Sequence, residues 1–598
     1  MTDSSFPTTS PSRRASTAFA AGILLLIIGM AGTAAPYVIP MKPYLVSLLM
    51  QASTYAIAVL GLTIVLGYAG QINLAQAAFF GIGAYSVGLG TASFGLPFSL
   101  ALAIGVGVAG ISGAVLGLAS LRIGGHYLAM VTISFQTILS LVLINWVSFT
   151  HGPDGVPNIE RPSLFGHAFN DADYLALSIA TLCVVALLVL ALPKTQLGRA
   201  MQAVRDNELA AEVVGVDTYR TKVIAFALSS VLGALGGGLF AGGFSYVSPD
   251  QFSFSESVVF LTMVLLGGVR SPFGAMLGTA LLILLPEWLR FLKVIYLTVY
   301  GAAVILIMVF MPDGIWGFIS VQWRKLRPQA QQPPDAIPPL PLVRQVARDA
   351  GRVVLQADDL SKHFGGLKAL EAVSFTVRSN DVHALIGPNG SGKTTMLNVL
   401  SGIYHPTRGR IIFDGHELVG LQPHQRAGLG LGRTFQNIRL FTAMTVLDNV
   451  MVGAERPNHP IAGGQAQLER HALAALDFVG LAHRFHEQVG SLSYGHQRLV
   501  EIARTLAGSP KLILLDEPGA GLNHVEKDEL VALLKRLKGH GLTILIIDHD
   551  MHLVEQIADQ ITVLNFGKRI AHGAPVDVLR NPDVIAAYLG EPTAHVTT

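Results

Sequence analysis

Long apolar runs separated by short polar breaks fill the first half of this chain. They lie near residues 18–36, 43–67, 77–95, 97–120, 126–149, 174–192, 222–244, 256–269, 274–291 and 294–312. A helix needs about 20 apolar residues to cross a bilayer. Lipid offers a backbone no hydrogen-bond partner, so each spanning run must bond internally as a helix. The pattern predicts a polytopic α-helical membrane domain of about ten spans, or eight, with the short run at 256–269 open to a re-entrant reading. Composition agrees: 51% of residues are hydrophobic and 13% charged, against about 25% charged in soluble proteins. That average hides a division, because the apolar runs end near Phe318 and mixed charge begins at Arg352. A formal charge of +2 without a clustered basic stripe gives no case for nucleic acid, and none is expected as a partner. A single cysteine, Cys183, excludes a disulfide framework.

Orientation follows from basic residues, which favour the cytoplasmic side. Arg13 and Arg14 place the N-terminus there, and the run Ala18–Ala35 reads as a retained first span and not a cleaved signal. Lys194, Arg199, Arg205, Arg220 and Lys222 place the 193–222 loop there too, as do Arg324, Lys325 and Arg327 for the end of the membrane half. Arg290 and Lys293 then fall outside, against the rule, and the acidic loop 150–173 faces the periplasm or exterior. Gln71, Asn73 and Gln76 are polar at membrane depth, and either line a path or cross-link helices. The 193–222 loop reads as a short amphipathic helix, and 328–341 as an extended proline-rich linker.

The second half is organised by GPNGSGKTT. It lies between a short apolar run, His383–Ile386, and an amphipathic helical stretch, which is the strand–loop–helix setting of a phosphate loop. Glycines let backbone N–H groups converge on phosphates, and a helix N-terminus adds partial positive charge. Gly387, Pro388, Asn389, Gly390, Ser391, Gly392, Lys393, Thr394 and Thr395 are the candidate ATP-binding residues. Lys393 would reach the β- and γ-phosphates and Thr394 would ligate Mg²⁺. Downstream, KLILLDEP (511–518) reads as a buried parallel strand delivering two acids at its C-terminal end. Asp516 would hold Mg²⁺, and Glu517 would act as general base on the attacking water. LTILIIDHD (542–550) reads as another buried strand, and ITVLNFGKRIAHG (561–573) as a hairpin turning at Phe566-Gly567.

LSYGHQRLVEIAR (492–504) resembles the signature motif of ABC ATPases, with Tyr494 and His496 as departures. The resemblance implies an α/β P-loop fold with a small helical subdomain over 445–490. It implies further roles: Phe364 stacking on adenine, Gln436 sensing Mg²⁺ and the attacking water, and His549 touching the γ-phosphate. Ser493 and Gly495 would address the ATP held by an opposing ATPase, and GAGLN (519–523) resembles the D-loop, with Asn523 in place of aspartate.

In the membrane half, LGYAGQINLAQAAFFGIGAY (66–85), HYLAMVTISF (126–135), SYVSPDQFSF (245–254) and LLGGVRSPFGAMLGTALL (265–282) resemble the permease of high-affinity branched-chain amino acid importers. Glu208, Ala210, Ala211 and Gly215 resemble that class's coupling helix, near 206–216, and GAPVDVLRNPDVIAAYLGE resembles the end of its ATPase. Gln136-Thr137 departs from the Gly-Glu often found in the family. The resemblance implies a permease over 1–320, a linker over 321–352, an ATPase over 353–592 and a tail over 593–598. It implies a cytoplasmic (inner) membrane importer with its ATPase in the cytoplasm, using ATP and Mg²⁺. Its partners would be a second permease and a second ATPase, or a second copy of the chain, and an extracytoplasmic solute-binding protein. The small-molecule substrate would be leucine, isoleucine or valine. Urea, an amide, another amino acid or an aromatic acid is the alternative, and a membrane-anchored regulatory or export ATPase the more distant one.

Overall fold

The computed structural model describes residues 13–38, 41–119, 126–164, 167–291, 296–311, 313–326, 337, 339–340, 351–455 and 464–589. Most of the expected linker, including Arg327, together with Lys293 and the tail, lies outside the described residues. The chain divides into two compact units: Met1–Met201 with Tyr219–Gln329, and Gln202–Thr218 with Ala330–Thr598.

In the first unit each expected apolar stretch carries a helix. They are Arg13–Val38, Pro43–Leu62, Gln76–Ala92, Phe98–Ala119, His126–Asn145, Asp171–Ala191, Thr218–Phe244, Phe254–Gly267, Pro272–Trp288 and Tyr296–Phe310. Among the described residues, six segments are long and apolar enough to cross a membrane, or up to seven if one bent pair near the end counts as a span. Helix Pro43–Leu62 continues as a π-helix over Thr63–Tyr68, and the chain then runs without regular structure to Gln76. An unwound stretch at this depth must be buried and bonded, and it is. Buried Gln76 donates through Nε2 to Ala58 O at 2.7 Å and Ser229 O at 3.2 Å, and its Oε1 accepts from Ser229 Oγ and Asn73 Nδ2. Gln71 turns back onto Ala69 O at 3.1 Å. Asn73 and Gln76 therefore cross-link the chain here. Gln136, at the departure noted above, does the same: Nε2 donates to Phe252 O at 2.7 Å, and Oε1 accepts from Ser257 Oγ at 3.0 Å.

Two features hold these helices together. Tyr55, Phe80, Phe240 and Phe260 form a cluster of aromatic rings with centroids 5.0–5.9 Å apart. Glycines also let backbones touch where lipid supplies no hydrophobic force between helices. A Cβ at Gly237 would stand 1.8 Å from Phe80 O, and one at Gly83 would stand 2.0 Å from Ala234 O. At Gly29 the close neighbour is a side chain, Cys183, whose Sγ is 2.5 Å from where a Cβ would lie.

The second unit is built on two sheets. Strands Val353–Phe364, Leu367–Arg378, Arg408–Phe413 and His416–Glu417 form an antiparallel one. The other runs in the order Leu431–Arg433, Leu512–Asp516, Thr543–Ile547, Val382–Ile386, Gln560–Asn565, Lys568–Gly573. Its first five strands are parallel, and the last returns antiparallel through the turn at Phe566-Gly567, both at positive φ. Leu512–Asp516, Thr543–Ile547 and Val382–Ile386 are buried at every position, matching their unbroken apolar runs. Helices Val446–Ala454 and Gly464–Phe478 pack with Tyr494–Ala507 as the helical portion.

The stretch read as one amphipathic helix is two, Gln196–Asp206 and Glu208–Val213. Asn207 causes the break. Its backbone is extended, and its side chain accepts the Ala210 N–H as the N-cap of the second helix.

Replacing Gly237 with alanine should destabilise the first unit by about 1–3 kcal/mol, because the new methyl meets backbone and not a movable side chain. Thermal unfolding of the purified protein in detergent checks this. An unchanged midpoint would mean that the two helices part at no cost.

Candidate functional site

Because the strands are parallel, their C-terminal ends share one edge, and four loops emerge there together. The first is the phosphate loop after Ile386. Gly387, Gly390 and Gly392 have φ of 149°, 78° and 102°, conformations closed to side chains. A Cβ at Gly387 would also lie 2.1 Å from Leu564 O. Helix Lys393–Ser401 starts directly from this loop, so its free N–H groups face the loop's concavity. Lys393 is buried and folds back, donating through Nζ to Gly387 O at 2.7 Å and Pro388 O at 2.9 Å. Burial lowers its pKa, and Glu517 and Asp516 partly offset this. Thr394 is exposed at the head of the helix, and Ser391 Oγ is buried without a partner among the described residues. Pro388, Asn389 and Thr395 complete the loop and the first helical turn.

The second and third loops carry acids. Asp516 ends its strand almost fully buried, and its Oδ1 has no hydrogen-bond partner among the described residues. Burial pushes its pKa up to about 6, against the pull of Arg433, whose guanidinium lies 3.7 Å from Oδ2. Glu517 follows with φ of 44°, its amide donating to Ile547 O at 2.8 Å. That left-handed backbone is costly for a glutamate, and such strain clusters at functional sites. After Ile547, buried Asp548 accepts the Asp550 N–H at 2.9 Å, and burial raises its pKa. His549 stands exposed with Nδ1 3.6 Å from Glu517 Oε2. The fourth loop brings Gln436, whose Nε2 donates to the same Glu517 oxygen at 2.9 Å. Gln436, Glu517 and His549 thus converge on one carboxylate oxygen.

Phe364 lies apart, at the end of a strand of the antiparallel sheet. The residue is 41% exposed, its ring edge-on to Tyr404 at 5.2 Å, with Lys362 Nζ 4.9 Å from the ring centre. Ser493 caps helix Tyr494–Ala507 and shares a 2.9 Å hydrogen bond with His496 Nδ1. Gly495 presses on Glu526, whose Oε1 is 2.4 Å from where its Cβ would lie. Asn523 caps helix His524–Gly539 in a box with Glu526, supplying the acceptor that an aspartate would supply.

The segment Gln202–Thr218 belongs to this unit. Ala210 and Ala211 are fully buried, and Gly215, at φ 109°, ends the short helix. The Ala443 N–H donates to Asp206 at 2.8 Å. His424 sits between Glu212 and Asp217, each 4.0 Å away. Glu208 opens the helix in its first turn.

Motif reading misses His424, Arg433, Arg498 and Glu501. The available signal was charge inside apolar pattern, as in Arg498-Leu499-Val500-Glu501.

A phosphate loop, two acids after a buried strand and a capped signature helix define an ATP-binding cassette, here in one chain with a bundle of apolar helices. Family profiles match accordingly: the branched-chain amino acid transport system permease component over 44–311, the ABC transporter over 370–520, and the branched-chain amino acid ATP-binding cassette transporter over 568–594. The chain is 43% identical over 252 residues to the high-affinity branched-chain amino acid transport ATP-binding protein BraF of Pseudomonas aeruginosa, a match covering 40% of this chain and 99% of that protein. It is 42% identical to LivG of Escherichia coli K12, covering 40% and 98%. It is 37% identical to the probable LivG of Archaeoglobus fulgidus, covering 40% and 95%. The chain belongs to the branched-chain amino acid ABC transporter family, and it joins that family's permease and ATP-binding components.

His424 is expected to give the Glu208–Val213 contact a pH dependence. Its pKa is raised, chiefly by the Glu212 carboxylate 4.0 Å from Nδ1, against burial, with Asp217 adding to the rise. A raised folded-state pKa means that the contact is fully present below the ordinary value of 6.5 and is lost as pH rises through the higher folded value. Seating of Glu208–Val213 should therefore weaken with rising pH. His424→Gln should flatten that profile, read as the substrate-dependent stimulation of ATP hydrolysis across pH. An equally steep profile in the variant would exclude His424.

Proposed function

We propose that this chain is one permease–ATPase half of a binding-protein-dependent importer that couples ATP hydrolysis to uptake of leucine, isoleucine and valine. The observation that carries the catalytic part is the convergence of Gln436 and His549 on Glu517 beside the phosphate loop.

In this reading the loop Gly387–Thr395 binds the phosphates of ATP through backbone N–H groups, and Lys393 leaves its carbonyl partners for the β- and γ-phosphates. Phe364 stacks on the base. Bound Mg²⁺ would supply neutralisation of the β- and γ-phosphate charge. Thr394, Asp516 and Gln436 would hold it. They fit: Asp516 keeps a buried carboxylate oxygen unpartnered among the described residues, and the Thr394 side chain is exposed.

Glu517 orients a water with Gln436. As the water's oxygen bonds to the γ-phosphorus, Glu517 takes its proton. The bond from that phosphorus to the bridging oxygen breaks, leaving ADP and phosphate. His549 holds the γ-phosphate in line. The opposing site takes Ser493 and Gly495 from this chain, so ATP closes two cassettes on each other and hydrolysis releases them. Glu208–Val213, with Ala210, Ala211 and Gly215, carries that movement to the permease as alternating access. A second permease and ATPase, or a second copy of the chain, completes the machine in the cytoplasmic (inner) membrane, with the cassettes in the cytoplasm. A solute-binding protein delivers substrate from the other side.

Glu517→Gln should leave ATP binding intact and cut turnover roughly 10²–10⁴-fold, the usual worth of a general base. Labelled leucine uptake in cells lacking the chain should return with wild type and not with Glu517→Gln, and unlabelled isoleucine and valine should compete. Uptake restored by the variant would remove Glu517 from the reaction. Uptake indifferent to the chain would remove the substrate assignment.

A further inference from the structure

One buried charge pair is absent from the chemistry above. Helix Tyr494–Ala507 starts at Ser493 and, one turn further in, carries Arg498 and Glu501 on one face. Both are almost completely buried, at 1% and 0% exposure, and they pair at 2.9 Å. Burying such a pair is expensive unless its remaining donors and acceptors are satisfied. The loop that carries Gln436 supplies the partners. Arg498 donates through Nη1 to Phe435 O at 2.6 Å and through Nη2 to Gln436 O at 2.7 Å. Glu501 Oε1 accepts the N–H groups of Phe435 at 3.3 Å and Arg439 at 3.4 Å. Arg504 lies 3.8 Å behind the same oxygen. Carbonyls and amides from 435 to 439 are therefore gripped by one helix, on both sides of Gln436.

We propose that Arg498 and Glu501 are positioning residues that tie the two ATP sites together. This rests on the reading that Ser493 and Gly495 address the opposing cassette's ATP. The helix that feels that ATP at its N-terminus holds the backbone of Gln436, and the Gln436 side chain bonds Glu517 of the chain's own site at 2.9 Å. A shift of the helix moves the glutamine that orients the attacking water. Occupancy of one site then sets the geometry of the other, and such coupling is reciprocal for binding. The forked guanidinium is required, because a lysine ammonium cannot hold two carbonyls in one plane.

The test is ATP hydrolysis against ATP concentration by the complete transporter in lipid nanodiscs, for wild type, Arg498→Lys and Glu517→Gln. Wild type should show a Hill coefficient approaching about two, the number of sites. Arg498→Lys should drop it to about one and lower kcat roughly ten-fold, with the half-saturating ATP concentration within about three-fold. Where Arg498→Lys fails to fold, Arg498→Gln, which leaves Glu501 beside buried Arg504, carries the same expectation. Wild-type cooperativity persisting in the folded variant overturns the proposal, as does a wild type that hydrolyses without cooperativity. A merely structural role would lower the unfolding temperature and scale activity at an unchanged Hill coefficient, which also overturns it. Hydrolysis surviving in Glu517→Gln would sink the general-base reading alone, because the comparison of Arg498→Lys with wild type stands without it.

Discussion

Parallel pairing is the constraint on which the second unit depends. Strands that run the same way end at the same edge, so Ile386, Asp516, Ile547 and Arg433 discharge their loops into one region. The phosphate loop, Glu517, His549 and Gln436 meet for that reason, although they are spread from residue 387 to 549. The same constraint accounts for Glu517's strained backbone. Its amide still bonds to Ile547 O while the chain turns away from the strand. The strand pairing on both sides holds a conformation that the residue would otherwise leave.

The first unit solves a different problem. Lipid neither hydrates its backbone nor pushes its helices together, so cohesion comes from close approach and internal hydrogen bonds. Gly83 and Gly237 provide the approach. Gln76 and Gln136 provide the bonds, each amide using both its donor and its acceptor on neighbouring segments. The unwound stretch between Tyr68 and Gln76 is stable in this setting because side chains of the same fold replace the missing helical partners.

Legibility in the sequence followed locality. The apolar strands ending in Asp516 and Ile547 announce themselves, because an unbroken run followed by acids has few other uses. Spans were readable for the same reason. Asn207 was less so, since a cap breaks a helix only where its own backbone turns extended. Whether Gln76 lines a path or bonds a neighbour is a matter of what stands opposite, and Ser229 is 153 residues away. Arg498 and Glu501 look on paper like an i,i+3 pair on a solvated helix face. Only burial separates the two cases, and that burial comes from a loop some sixty residues earlier.

That pair also bears on how such a chain can drift. Losing Arg498 alone leaves Glu501 with only Arg504, 3.8 Å away, as a counter-charge, and losing Glu501 alone strands two buried guanidiniums, so each single step crosses a valley. Only a concerted exchange of both, with the 435–439 backbone finding new partners, reaches a neighbouring solution. Lineages are therefore expected to keep the two residues together or to replace them together.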